Sequence, residues 1–445
     1  YTRSLALLDA LPEGVGDPAA LSFERATVLN RIGDIHAVTG RPDLALERHR
    51  EALGLREALA RRAGSERLAL AVTESLLAVG RDLAALGDLE AAAAETQRAV
   101  DVRAQIASGD GASPSTRRAL ALGHQQLAEI HIRTRDFERA LGALREARQI
   151  DADSLRDDAA NASARHGLAR TYILIGDANI ALGRFTDAGD VYTFARTISV
   201  DLARRDLDDQ LARAGLASAD LAIGRMRAIK GEVPGALAAF RSAAAEADGL
   251  LAADPANLPT RNAASRAHES IGDMLGRLGE RDDALAAYVA ARDLIAPVHA
   301  ADANTRDAAR RLAIATSKVG QTRDALGDAA SALAELTAAH GLATALADVP
   351  GATGADLRLA ATCDYLLAAL HGRLASVATD PGVAAEQSAA SRGFLMACAE
   401  RFAALRDAGL LEAADADLPE RLMEQAQGDP DAEAPDGTPS ASAGG

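Results

Sequence analysis

The sequence predicts an all-α fold, a solenoid of antiparallel helix pairs, and three registers carry that expectation. Alanine stands at Ala52, Ala99, Ala147, Ala195, Ala243, Ala291 and Ala339, and again seven residues before each, from Ala45 and Ala92 to Ala332. A second register runs through Gly40, Gly87, Gly183, Gly231, Gly279 and Gly327, with Arg135 in the missing place. The third lies seven residues earlier, at Gly33, Gly80, Ala128, Gly176, Gly224, Gly272 and Gly320. The step is 47 once and 48 thereafter. A fixed period of about 20 to 50 residues marks stacked supersecondary units.

A chain of 445 residues ordinarily divides into two or three domains. The repeat overrides that expectation, because a solenoid grows by adding units rather than by enlarging one core. Few aromatics and no Trp suit thin helices packed closely. No apolar run approaches the roughly 18 residues of a membrane span, and no secretory pattern opens the chain. The net charge of −16 argues against a nucleic-acid surface, which needs clustered Lys and Arg. Half of it lies between Glu412 and Asp436, where nine acids face Arg421 alone. Cys363 and Cys398 have no metal-ligand spacing and leave the redox compartment open.

The elements follow from the unit Asp254–Leu294. Asp254-Pro255 breaks the preceding helix. Asp254 shares a register with Asp110, Asp158, Asp206 and Asp302, where a short acid suits the positive end of the next helix. Helix A is predicted over Leu258–Leu278, with Ala264, His268, Ile271 and Leu275 on one face. Gly279 closes it. Helix B is predicted over Asp282–Val298. Gly272 sits inside helix A, where glycine costs about 1 kcal/mol relative to Ala. Close approach of the helix B backbone, at the alanines 12 and 19 residues on, is the expected compensation.

These residues resemble the tetratricopeptide repeat. The pairs Ile32-Gly33, Val79-Gly80, Ile175-Gly176, Ile223-Gly224, Ile271-Gly272 and Val319-Gly320 stand where that family has Leu-Gly, the alanines follow twelve residues after the glycine, and Tyr192, Phe240 and Tyr288 fill its later aromatic position. The family's tryptophan place instead holds Leu29, Leu76, His124, Tyr172, Asp220, His268 and Thr316, and both helices are lengthened to fill a 48-residue unit. The resemblance implies a TPR-like right-handed superhelix of antiparallel helix pairs. Phrases such as "LLAADPAN" leading to "ESIGDMLGRLGERDDALAAY" are similar to the arrays that follow the catalytic domain in bacterial serine/threonine protein kinases.

Residues 1–16 are expected to be the remnant of a preceding helix B, so that the chain reads as a piece of something longer. Seven repeats then occupy 17–350. A degenerate terminal hairpin is expected over 351–411, with helices near Ala355–Val377 and Val383–Leu405. The stretch 412–445 is predicted to be an acidic, largely disordered tail, low in complexity from about Gly428.

Chemistry is sparse. "GRDLAALGD" at 80–88 and "DFE" at 136–138 lack the partners of the kinase motifs they echo. His124 and His131 lie about 10 Å apart along one helix, too far for one metal. "GDGAS" at 109–113 is a helix–helix loop by phase. No catalytic residue, cofactor or metal is therefore expected.

In the resembled family helix A lines the concave face. The matching positions here are Asn30, Asp34, Leu77, Arg81, Gln125, Glu129, Ile173, Asp177, Leu221, Arg225, Glu269, Asp273, Ser317 and Gln321. Five acids and two arginines give this strip an acidic bias. No Lys occupies it, which disfavours the family's Lys/Asn clamp for carboxylates. The function expected is a non-enzymatic scaffold binding a protein or peptide along this groove, with no nucleic acid and no membrane insertion. A regulatory region of a serine/threonine kinase is the alternative. A small-molecule sensor ranks last, given so few aromatics to line a pocket. A cytoplasmic location is favoured, or an extracytoplasmic one if an anchor precedes Tyr1.

Overall fold

The computed structural model describes residues 1–10, 16–109, 113–303, 305–349, 352–411 and 415–428. Among them lie eighteen α-helices and no strand. The chain divides into two compact units, Tyr1–Ala263 and Ala264–Gly445. The first holds α1 (Thr2–Asp9), α2 (Pro18–Val38), α3 (Pro42–Ala63), α4 (Glu66–Leu86), α5 (Leu89–Ala107), α6 (Pro114–Arg133), α7 (Phe137–Asp157), α8 (Ala162–Ala181), α9 (Phe185–Arg205), α10 (Gln210–Ile229) and α11 (Val233–Ala253). The division falls inside α12 (Leu258–Leu278). The second unit continues with α13 (Arg281–Ala301), α14 (Arg306–Ala325), α15 (Ala329–Ala347), α16 (Gly354–Val377), α17 (Pro381–Asp407) and α18 (Leu418–Gln427). Among the described residues no helix is long and apolar enough to cross a membrane.

In the first unit each helix from α2 to α11 packs on the one before it, and in the second each from α14 to α18 does; alternate helices also touch, α6 on α8 and α8 on α10 in the first unit, α14 on α16 in the second. Two- or three-residue turns join the helices of a pair, which makes the pair antiparallel. This is an α-solenoid. The alanines of the two seven-spaced registers are each no more than 1% exposed. A methyl group there lets neighbouring rods approach closely enough to exclude water.

The second glycine register closes each helix A with a left-handed residue, from Gly40 (φ 75°) to Gly327 (φ 87°). Arg135 adopts the same conformation at φ 59° without being glycine. A side chain there crowds the following carbonyl and costs about 1–2 kcal/mol. Arg135→Gly is expected to raise stability by about 1 kcal/mol, read as a higher urea midpoint at unchanged slope. An unchanged midpoint would mean that the Arg135 side chain repays its strain.

The acidic register before helix A requires a correction. Asp158, Asp206 and Asp254 end the preceding helix, and their carboxylates accept from the amides of Ala160, Asp208 and Ala256 in the connecting turn. The helix is capped three residues later, where Asn161, Asp209 and Asn257 accept from the amides of Ala164, Ala212 and Thr260. A side chain reaches only two or three residues onward, so the first acid of the phrase orders the turn and the second residue caps. Asp110 lies outside the described residues.

The glycine inside helix A also has a different cause from the one expected. The group nearest to it is a side chain, which sits sixteen residues on. An alanine Cβ at Gly224 or Gly272 would lie 2.5 Å from a ring carbon of Phe240 or Tyr288; at Gly33 it would meet His49 at the same distance. Gly176 faces Tyr192, Gly80 faces Thr96, and Gly320 faces Leu336. The missing Cβ is a socket for a flat or bulky group, which outweighs the helix penalty of glycine. At Gly80 and Gly320 backbone of the facing helix also comes close, at 3.2 and 3.1 Å.

Beyond the repeats, α16 and α17 form a long pair opened by a capping box between Thr353 and Asp356. The stretch 412–445 is not wholly tail. Within it α18 buries Leu418, Leu422 and Ala426 against Leu395, Phe402 and Leu405 of α17. The apolar spacing Leu418, Leu422, Ala426 is one helix face, which the acids around it had masked in the composition. Residues 350–351 and 429–445, parts of the expected break and tail, lie outside the described residues.

Candidate binding groove

The strip on the A helices is held by cross-repeat ion pairs. In the first unit Asp34 of α2 faces Arg81 of α4 at 3.5 Å, Glu129 of α6 faces Arg170 of α8 at 2.6 Å, and Asp177 of α8 faces Arg225 of α10 at 3.3 Å. Each joins one repeat to the next. Asp177 also accepts from the hydroxyl of Tyr192 at 2.7 Å, and burial raises its pKa against the pull of Arg225. The second unit repeats the device: Asp273 accepts from Tyr288 at 2.7 Å and from Lys318 at 2.5 Å, while Glu269 meets the same ammonium at 3.1 Å. Burial works against the charge on Lys318, and the two carboxylates overcome it and raise its pKa. The strip acids therefore carry in-chain cations, and neutralising Asp177 or Asp273 would strand a tyrosine hydroxyl.

The remaining strip positions divide by burial. Asn30 and Leu221 are half-buried, Ile173 packs beside Tyr192, and Gln321 is exposed. Leu77, Gln125 and Ser317 are buried. Gln125 donates to the carbonyl of Gly167 and the hydroxyl of Thr171, and Ser317 donates to the carbonyl of Ile314. Gln125 thus ties α6 to α8, and the Ser317 hydroxyl is satisfied within its own helix.

The first unit contains a cavity of about 710 Å³ lined by residues of the first four repeats, the fourth supplying Arg170 of α8. Asn30, Asp34, Leu77, Arg81 and Glu129 of the strip line it, together with Phe23, Thr27, Leu122 and Gln126. Its charge is the reverse of the bias expected for the whole strip. Five guanidinium groups, on Arg31, Arg56, Arg81, Arg103 and Arg170, face three carboxylates, on Asp34, Glu74 and Glu129. Asp34 is kept ionised: its hydrogen bond with His49 holds its carboxyl below the usual range, against burial.

Sequence reasoning confined to helix A missed Arg56 and Arg103. They come from α3 and α5, four residues after the register alanines Ala52 and Ala99, and reach under the next helix A. Arg56 donates to the carbonyl of Ala71 at 2.8 Å and to the hydroxyl of Ser75 at 3.0 Å. Arg103 donates to the hydroxyl of Thr73 at 2.8 Å and to the carbonyl of Ala119 at 2.5 Å. The signal was present: the same register holds Asp151, Ser199, Ala247, Ile295 and Ala343, so two arginines there are conspicuous.

No family model matches this chain and no curated protein matches it. Solved structures do. The chain is similar to the apo form of RapI, at 10% identity and a TM-score of 0.48 over 92% of this chain and 98% of that one. It is similar to BtubC from P. vanneervenii, at 17% identity and 0.47 over 59% and 93%. It is similar also to the apo form of the quorum sensor NprR from B. thuringiensis, at 15% identity and 0.43 over 88% and 99%.

Proposed function

We propose that this protein is a non-catalytic scaffold of the tetratricopeptide type that holds a peptide or partner helix along the inner strip of its A helices. The observation that supports this reading is the cavity lined by α2, α4, α6 and α8, since its size falls within the range of ligand sites and its polar groups converge from four repeats. A groove built from stacked units suits an extended ligand, because each repeat offers an equivalent set of contacts. In the resemblance to kinase-associated arrays, this groove would be the sensory part of a signalling protein.

Thr27 is the residue with which to test it. Its hydroxyl is tied to its own helix, at the carbonyl of Phe23, and it lines the cavity without an ion pair. Thr27→Trp places an indole in the groove and leaves the charges intact. On a peptide array the native protein is expected to retain a subset of sequences and Thr27→Trp to lose them. Equal binding by both would move the partner surface elsewhere.

A further inference from the structure

We infer that the cavity of the first unit contains an oxyanion subsite built on Arg56 and Arg103, and that its ligand is a carboxylate of an acidic peptide segment. The inference rests on the groove reading above and names the chemistry the groove selects.

Both guanidinium groups are almost completely buried, at 3% and 5% exposure, yet both line the cavity. A buried charge is tolerated when it is paired. Among the described residues Arg103 forms no ion pair, and its hydrogen bonds use Nε and Nη1. Arg56 meets one carboxylate, that of Glu74, at 3.4 Å, and Glu74 is itself 61% exposed. The Nε of Arg56 is buried without a partner. Burial pulls the Arg103 pKa down to about 10, opposed only by the field of Glu74. At neutral pH both groups are charged and both retain unused N–H donors beside open space.

Packing does not require arginine at these places. The equivalent residues Ser199, Ala247, Ile295 and Ala343 are equally buried and carry no charge, while Asp151 of the third repeat, buried likewise, is paired with Arg118. Two consecutive repeats thus accept the cost of a buried guanidinium where later ones avoid it, and the two lie around one cavity. Planar guanidinium donors match carboxylate and phosphate geometry. The surplus of guanidinium over carboxylate in the lining leaves room for an anion of about two charges. An extended acidic peptide meets that requirement while following the A helices; free phosphate shares the chemistry without the length.

The test uses the whole chain and two probes, N-acetyl tetraglutamate amide and inorganic phosphate, by titration calorimetry at low salt. The peptide is expected to bind more tightly than phosphate. Arg103→Ile, which copies Ile295, should keep the helical circular dichroism and weaken the peptide about tenfold or more, the loss of a charge-assisted bond. Glu74→Gln removes the competing in-chain carboxylate and should tighten binding. Phosphate binding as tight as the peptide would overturn the peptide assignment. Binding of neither probe, or binding indifferent to Arg103→Ile and Glu74→Gln, would overturn the subsite. Array ligands lost with Thr27→Trp but retained by Arg103→Ile would leave the groove standing without it.

Discussion

Phe240→Ala is expected to destabilise the first unit by about 3–5 kcal/mol, the cost of emptying a packed aromatic site. Phe240 is 2% exposed and its ring lies on Gly224. No neighbouring side chain fills the socket, since the facing residue has none. Thermal melting followed by circular dichroism reads the loss, and hydrogen exchange should place it first in α10 and α11. A sharper version uses the chain's own alternative. In the third repeat the same two places hold Ala128 and Leu144, both fully buried. Gly224→Ala alone gains about 1 kcal/mol in helix propensity and loses about 1–3 kcal/mol to overpacking. Gly224→Ala with Phe240→Leu copies the third repeat, so the pair should couple favourably by about 0.5–3 kcal/mol in a double-mutant cycle. Additive effects would mean that the glycine serves some other end.

The helix pairs were legible because each rests on residues with one structural meaning. Alanine that recurs where rods cross, and glycine that recurs just past helix A, report backbone geometry directly. The helix over Leu258–Leu278 was predicted at its observed bounds for that reason. The socket was harder to read. A glycine in a helix says only that something approaches, and the approaching group is His, Thr, Leu, Tyr or Phe in different repeats. Of the cavity lining, the helix A half was legible and the other half hidden. Arg56 and Arg103 belong to helix B, and only the packing brings their guanidinium ends beneath the next helix A. The strip's count of five acids and two arginines leaves out Arg170 and Lys318, which stand beside it and pair with Glu129 and with Glu269 and Asp273.

The second large effect concerns His49, which occupies the socket of the first repeat and is fully buried. Its Nδ1 donates to Asp82 at 2.5 Å and its Nε2 to the carbonyl of Asn30 at 3.2 Å, with Asp34 3.5 Å away. Burial opposes the charged ring, but the hydrogen bonds to Asp34 and Asp82 overcome it and lift the pKa from 6.5 to about 9. A group whose folded pKa is raised contributes stability that is complete below its unfolded pKa and disappears as pH rises through the folded one. The first unit should therefore lose up to about 3 kcal/mol between pH 6.5 and 9, at roughly 1.4 kcal/mol per pH unit. His49→Tyr alone should cost about 3–5 kcal/mol at pH 7, because Asp82 is left buried without a partner. His49→Tyr with Asp82→Met copies Tyr192 and Met226, which pack together in one cluster, and offers Asp34 a hydroxyl as Asp177 has from Tyr192. Replacing a buried ion pair by well-packed groups is commonly neutral or stabilising, so the double variant should recover the native stability at pH 7 and hold it flat to pH 9. A native protein equally stable at both pH values would show that the imidazole is neutral in its socket, and that Asp34 faces the cavity without a cation behind it.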